Sequence, residues 1–243
     1  MQNKKISLVI PAYNEEAIIE DTINTVISFL WASFDSYELI IADDGSTDRT
    51  RAIVEGINDP DLRLVTYSPN RGKGCAVREG ILAATGDYIV YTDADLAYGV
   101  ECIAQIIKLL EDTGAELAAG SRKLHPDGYA DYPPIRLLAS RCFSFLTGAF
   151  AGFHFDTQCG LKAYSAHAAR EVFSRCETDG FAFDFEAIML AESMGFTITQ
   201  LPVKIINHRE SKVRVLRDSL KMFNDIIRIR RSVKTRMKKE GGA

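Results

Sequence analysis

Short, fully apolar runs alternate along the first half of the chain with longer stretches that are apolar on one side only. The runs at 5–10, 37–42, 62–67, 87–92 and 117–120 predict buried strands. Between the first two, Ile18, Ile19, Ile23, Val26, Ile27 and Leu30 recur at helical spacing, so a helix is expected from Glu15. Ser46 and Asp48 suit the cap of a second helix. Further helices are expected over 72–84, despite its glycines, and over 100–113. Strands alternating with helices at these lengths predict a largely parallel sheet with helices on both faces. Ligands of such sheets lie in the crevice at the carboxyl ends of the strands.

The second half is less regular. After Pro133 and Pro134, the segment 135–150 is apolar almost all round, with Ile135, Leu137, Leu138, Phe143, Phe145, Leu146 and Phe150. A loop and strand are expected over 156–164 and a helix over 183–193. The run 197–206 reads as a strand that Pro202 confines to an edge or interrupts. A long helix is expected over 215–238, with Leu216, Leu220, Phe223, Ile226 and Ile227 on one face. Residues 238–243 read as disordered, and no internal repeat is visible.

With 243 residues, 47% of them apolar, the chain can bury a sizeable core in one domain with an appendage. Lys4 and Lys5 precede only a short apolar run, so no secretory signal is expected. The uncharged stretch at 142–155 is too short for a bilayer span of about 20 residues. Five scattered cysteines without CxxC spacing read as reduced thiols in the cytoplasm. Net charge is −4, but segment 204–239 holds thirteen Lys/Arg against three Asp/Glu. That segment reads either as a solvated basic helix or as one drawn to an anionic surface. Nucleic acid is not expected as the partner, because the aromatic interleaving of single-strand binders is missing.

Three of the strands exit into acidic motifs. Pro11-Ala12-Tyr13-Asn14-Glu15-Glu16 follows the first, with Tyr13 able to stack on a base and Asn14 and Glu15 able to hydrogen-bond base or ribose. Asp43-Asp44-Gly45-Ser46 follows the second; it suits a ribose or uracil edge, and equally an Asx turn with a helix cap. Asp93-Ala94-Asp95 follows the fourth. Two carboxylates two residues apart suit one hard divalent cation, Mg²⁺ or Mn²⁺, carrying nucleotide phosphates. Asn70-Arg71-Gly72-Lys73-Gly74 is a basic turn before a helix; it reads as a diphosphate cradle or as a plain surface turn, and its spacing is not that of a P-loop.

Together these motifs resemble the nucleotide-binding half of the family 2 inverting glycosyltransferases. Farther along, Asp156-Thr157-Gln158-Cys159-Gly160-Leu161-Lys162 and Phe181-Ala182-Phe183-Asp184-Phe185-Glu186 are similar to the dolichyl-phosphate β-glucosyltransferase branch, related to dolichyl-phosphate mannose synthase. So are Glu210-Ser211-Lys212-Val213 and Arg217-Asp218-Ser219-Leu220.

The resemblance implies a GT-A fold: one mixed, mostly parallel Rossmann-like sheet flanked by helices. It implies a catalytic domain over 1–207, divided near 122 into nucleotide-sugar and acceptor halves, then a lid loop and basic amphipathic helix over 208–243. The reaction implied is transfer of a sugar, glucose from UDP-glucose first, to a polyprenyl phosphate at the cytoplasmic membrane face, by a peripheral protein. UDP-N-acetylglucosamine, GDP-mannose or a soluble or polysaccharide hydroxyl acceptor are the alternatives; a hydroxyl would need a base, Asp184 or Glu186. Catalysis is assigned to Asp93, Asp95 and Asp156. The nucleotide sugar is assigned to Pro11, Tyr13, Asn14, Glu15, Asp43, Asp44, Gly45, Ser46, Lys73, Asp93, Ala94, Asp95 and the lid residue Lys212. The cation is assigned to Asp93 and Asp95, because the place of a third polar ligand in mannosyl-transferring relatives is Ala97 here. The acceptor phosphate is assigned to Arg122, Arg136 and Ser140, the last two one helical turn apart.

Overall fold

The structure is a computed structural model that describes residues 4–130, 155–207 and 215–240, with backbone alone at 215–224 and 238–240. The element order is β1 (Ile6–Ala12), α1 (Ile19–Ser33), β2 (Tyr37–Asp43), α2 (Thr50–Gly56), β3 (Leu62–Thr66), α3 (Lys73–Ala83), β4 (Tyr88–Tyr91), α4 (Glu101–Thr113) and β5 (Leu117–Ser121). It continues through β6 (Lys162–Ser165), α5 (Ala166–Phe173), α6 (Phe183–Ser193), β7 (Ile198–Pro202) and α7 (Val215–Glu240).

All seven strands form one sheet in the order β3-β2-β1-β4-β6-β5-β7. β1 pairs in parallel with β2 and β4, β2 with β3, and β5 with β7. β6 alone runs antiparallel, between β4 and β5. Its start therefore lies at the edge where its neighbours end. Pro202 closes β7, an edge strand, where the missing N–H costs no ladder bond on the open side.

Alternation along each strand divides the core. Ile6, Leu8 and Ile10 of β1 with Leu39 and Ile41 of β2 meet Ile23, Val26 and Leu30 of α1 and Ile103, Ile106 and Leu110 of α4. Val9 and Ile40 point the other way, into a layer with Val77 and Ile81 of α3, Val172 and Phe173 of α5, and Phe185 and Ile188 of α6. Burial on both faces explains why the strands read as unbroken apolar runs.

Two departures from the sequence reading concern helices. α5 was not expected; it leaves β6 without a turn, and Ser165 caps it by accepting from the Ala168 amide at 3.2 Å. In α7, Ile226, Ile229 and Val233 are buried in the layer with α6. Over this stretch the apolar stripe faces the protein, so a helix drawn to an anionic surface has only its basic side to offer there. The segments 135–150 and 208–214 lie outside the described residues.

Candidate active site

The strand order reverses at β1 and β4, and a crevice opens at their carboxyl ends. The loops after β1, β2 and β4 and the start of β6 all reach this edge. Pro11 and Ala12 end β1 in register with Ala42 and Asp43 of β2.

The first two loops are stitched to each other. Asn14, at φ +54°, accepts from the Thr47 amide at 2.8 Å, while its own amide donates to Ser46 Oγ at 2.9 Å. The Glu15 amide donates to Thr50 Oγ1 at 2.8 Å. Tyr13 stands 40% exposed beside them. Asp43 accepts from the Ser46 amide and the Thr66 hydroxyl. Asp44 is buried and accepts from Tyr67 Oη (2.7 Å), Asn70 Nδ2 (2.6 Å) and the amides of Arg71 (2.9 Å) and Gly72 (2.9 Å). Gly45, at φ +70°, turns the chain so that both carboxylates can do this. Asp44 thus organises the 67–72 loop, and Asp43 and Ser46 hold the loop edge that faces the crevice.

Beyond that loop, Lys73 opens α3 and places Nζ 2.5 Å from Asp93 Oδ1. Burial opposes charge on Lys73, but Asp93, Asp184 and Asp95 outweigh it and raise its pKa. Asp95 shifts upward through burial and then through Asp93. Asp95 Oδ1 accepts from the Ala97 amide, which ties the turn through Leu96, itself buried. The 156–160 turn closes on the other side of Asp93: a Cβ on Gly160 would collide with its carboxylate. This donor set fits a hard divalent cation. Two carboxylates that repel each other gain most from one, and donor phosphates and water complete a Mg²⁺-type shell. Among the described residues, no group of three or more His, Cys, Asp or Glu gathers as a metal site.

Asp156 and Arg122, assigned separately from the sequence, are partners. Arg122 Nε and Nη2 each lie 2.8 Å from the two oxygens of Asp156, a buried fork. Burial would push the Asp156 carboxyl up; the guanidinium outweighs it and holds it below the usual range. Arg136, Ser140 and Lys212 lie outside the described residues. Asp184 is buried and held by Lys162 Nζ at 2.7 Å and by the Tyr91 hydroxyl. Lys162 Nζ also donates to the carbonyls of Cys159 (2.7 Å) and Thr157 (3.3 Å), pinning the turn behind Asp93. Glu186 accepts from the Thr178 (2.8 Å) and Glu177 (3.1 Å) amides and pairs with Arg236 at 2.6 Å.

Sequence reasoning missed the roles of Lys162 and Arg236, yet each carried a signal. Lys162 interrupts a buried strand run, and Arg236 shares the helical stripe of Ile226, Ile229 and Val233; a cation in either place needs a buried partner. The described cysteines are free, and burial pushes the Cys159 thiol up to about 11.

A profile for glycosyl transferase family 2 matches residues 7–173. The chain is 33% identical over 246 residues to the dolichyl-phosphate beta-glucosyltransferase of Saccharomyces cerevisiae, covering 93% of this chain and 74% of that one. Its counterpart from Dictyostelium discoideum is 32% identical, covering 95% and 75%. Glycosyltransferase AglD of Haloferax volcanii is 34% identical over 231 residues; there the match spans 92% of this chain and 36% of the relative, about a third of its length. Among solved structures, glucosyl-3-phosphoglycerate synthase from Mycobacterium tuberculosis, in complex with Mn²⁺, uridine diphosphate and glucosyl-3-phosphoglycerate, matches with a TM-score of 0.69 at 22% identity, covering 95% of this chain and 80% of that one. That likeness is one of fold.

Proposed function

The chain belongs to glycosyl transferase family 2 and has the GT-A fold, and from that premise we propose that it moves glucose from UDP-glucose to a polyprenyl phosphate, with inversion at the anomeric carbon. That it is a glycosyltransferase follows from the family; the donor, the acceptor and the residue roles are the proposed part.

On this reading Tyr13 stacks on the uracil, and Asn14, Glu15, Asp43 and Ser46 line the nucleoside. Lys73 neutralises the diphosphate as it leaves. Bound Mg²⁺ or Mn²⁺ between Asp93 and Asp95 supplies further charge neutralisation at the diphosphate. Asp156 faces the transferred sugar, its orientation fixed by Arg122, while Arg136 and Ser140 complete the acceptor-phosphate set and Lys212 closes over the donor from the lid.

One observation carries the choice of acceptor. Three carboxylates that could serve as a base each sit against a cation: Asp156 on Arg122, Asp184 on Lys162, Glu186 on Arg236. The Arg122 guanidinium holds the Asp156 carboxyl below the usual range, which makes it a poor proton acceptor. A hydroxyl nucleophile needs a base, whereas a phosphate monoester, with a second pKa of about 6, is already largely dianionic at neutral pH. The relatives named for dolichyl phosphate support the same acceptor. Among the described residues, no helix is long and apolar enough to cross a membrane. Attachment at the cytoplasmic membrane face would use the exposed basic side of α7, with Arg228, Arg231 and Lys234.

A soluble phosphate-bearing acceptor is the second reading. It draws on the fold likeness to structures holding UDP-glucose with glycerol 3-phosphate or phosphoglyceric acid. The test is incubation with Mg²⁺ or Mn²⁺, labelled UDP-glucose, UDP-N-acetylglucosamine or GDP-mannose, and either a short polyprenyl phosphate or 3-phosphoglycerate. Label in the lipid with UDP-glucose is the expected result. Label only in the soluble acceptor would establish the second reading instead.

A further inference from the structure

We propose that Arg236, near the end of the last helix, is a positioning residue for Lys73, so that this arginine sets nucleotide affinity through a chain of contacts. The proposal rests on the reading of Lys73 as a donor-site residue. The connection is a continuous chain of contacts. Arg236 Nη2 lies 2.6 Å from Glu186 Oε1, and Nη1 donates to the Arg175 carbonyl. The other Glu186 oxygen receives the Glu177 and Thr178 amides and so fixes the turn that follows α5.

That turn is what caps α3. The Asp179 carbonyl accepts from the Gly74 amide at 2.8 Å and the Cys75 amide at 3.3 Å, the first free donors of the helix. The Asp179 carboxylate takes Arg78 at 2.6 Å from the same helix and Arg71 at 3.6 Å from the loop before it. Contact is close enough that a Cβ on Gly72, at φ +119°, would stand 2.5 Å from the Asp179 carbonyl oxygen. Lys73 lies between these contacts, with its ammonium on Asp93. A shift of this turn is passed through these contacts to Lys73.

Glu186 is buried to 1% exposure, which gives the arrangement its sensitivity. A buried carboxylate left without its cation must take a proton or draw in water. Either weakens its hold on the turn and loosens the first turn of α3. A helix-packing role alone would need none of this polar chain.

The experiment is calorimetric titration of the full chain with UDP, and separately GDP, in the presence of Mn²⁺. Arg236→Met is expected to weaken nucleotide binding roughly 5- to 30-fold, the upper part of the range of indirect coupling. Arg236→Lys is expected to recover part of the loss. Val233→Ala truncates a buried side chain on the same helix without touching Glu186, and is expected to lower the melting temperature but keep affinity within about two-fold. Lys108→Met, at an exposed position paired with Asp112 on α4, should change neither. Equal affinity for Arg236→Met and the parent chain would overturn the proposal, as would an equal loss in Val233→Ala. Failure of the parent chain to bind either nucleotide would instead overturn the donor-site reading, and the proposal with it.

Discussion

At the end of β4, Asp93 keeps a third of its side chain exposed and is partnered by Lys73, while in the turn before β6 Asp156 is 2% exposed and gripped by a fork of two hydrogen bonds. The two regions carry the same residue type on the same edge of one sheet. In the first, negative charge is concentrated and left open, which raises the Asp95 pKa through burial and its neighbour. In the second, Asp156 and Asp184 are matched by the buried cations Arg122 and Lys162 before any substrate arrives. On the proposed function, the difference separates two tasks. Open charge suits exchange with a cation and a diphosphate that come and go; matched charge suits holding a sugar and an acceptor in line.

The sharpest way to break this comparison is substitution at Asp95. Asp95→Asn is expected to cut turnover by about 10³-fold or more, on the scale of lost transition-state charge stabilisation, while the melting temperature stays close to that of the parent. Turnover and a thermal melt on the same preparation check both halves; normal turnover with the cation present would remove Asp95 from the site.

The converse holds at the fork. Arg122→Met should cost about 3–5 kcal/mol of stability in a urea melt, because it strands a buried carboxylate. The double variant Arg122→Met, Asp156→Leu should regain much of that loss while remaining inactive. A fork that can be broken at no cost to stability would erase the contrast between the regions.

A smaller effect comes from the opposite edge of the sheet, where Glu38 provides a reference for matched charge far from the crevice. Burial would raise its pKa, but Ser7, Thr85 and Arg63 outweigh burial and lower it from 4.5 to about 2. A depressed carboxyl stabilises the fold above its unfolded value and loses that contribution as it protonates. Stability is therefore expected to decline by about 1–3 kcal/mol as pH falls from about 4.5 to about 2, and Glu38→Gln should flatten that slope. Urea midpoints across this window measure it.

Much of the donor side was legible in the sequence because its strands are unbroken apolar runs and its loops are local. Asp43, Asp44 and Ser46 sit within one turn, and Asp93 and Asp95 within another. Even so, the full engagement of Asp44 by the 67–72 loop was not visible, since its donors lie 23–28 residues away. The matched side was harder. Arg122 and Asp156 are 34 residues apart, Lys162 and Asp184 are 22 apart, and Glu186 and Arg236 are 50 apart. Each residue alone reads as a surface charge or a turn, and only the fold supplies its partner. The stripe on α7 shows the same limit: amphipathic periodicity says that a face is buried, not whether protein or lipid covers it.

The account turns on the nucleophile being a phosphate that needs no protein base. The measurement that tests it most directly is the pH dependence of kcat/KM with a polyprenyl phosphate and with its phosphonate analogue, whose second ionisation lies higher. The account predicts an ascending limb near pH 6 for the phosphate that moves upward with the phosphonate. A limb that stays at one pH for both acceptors would belong to a base on the protein and would contradict it.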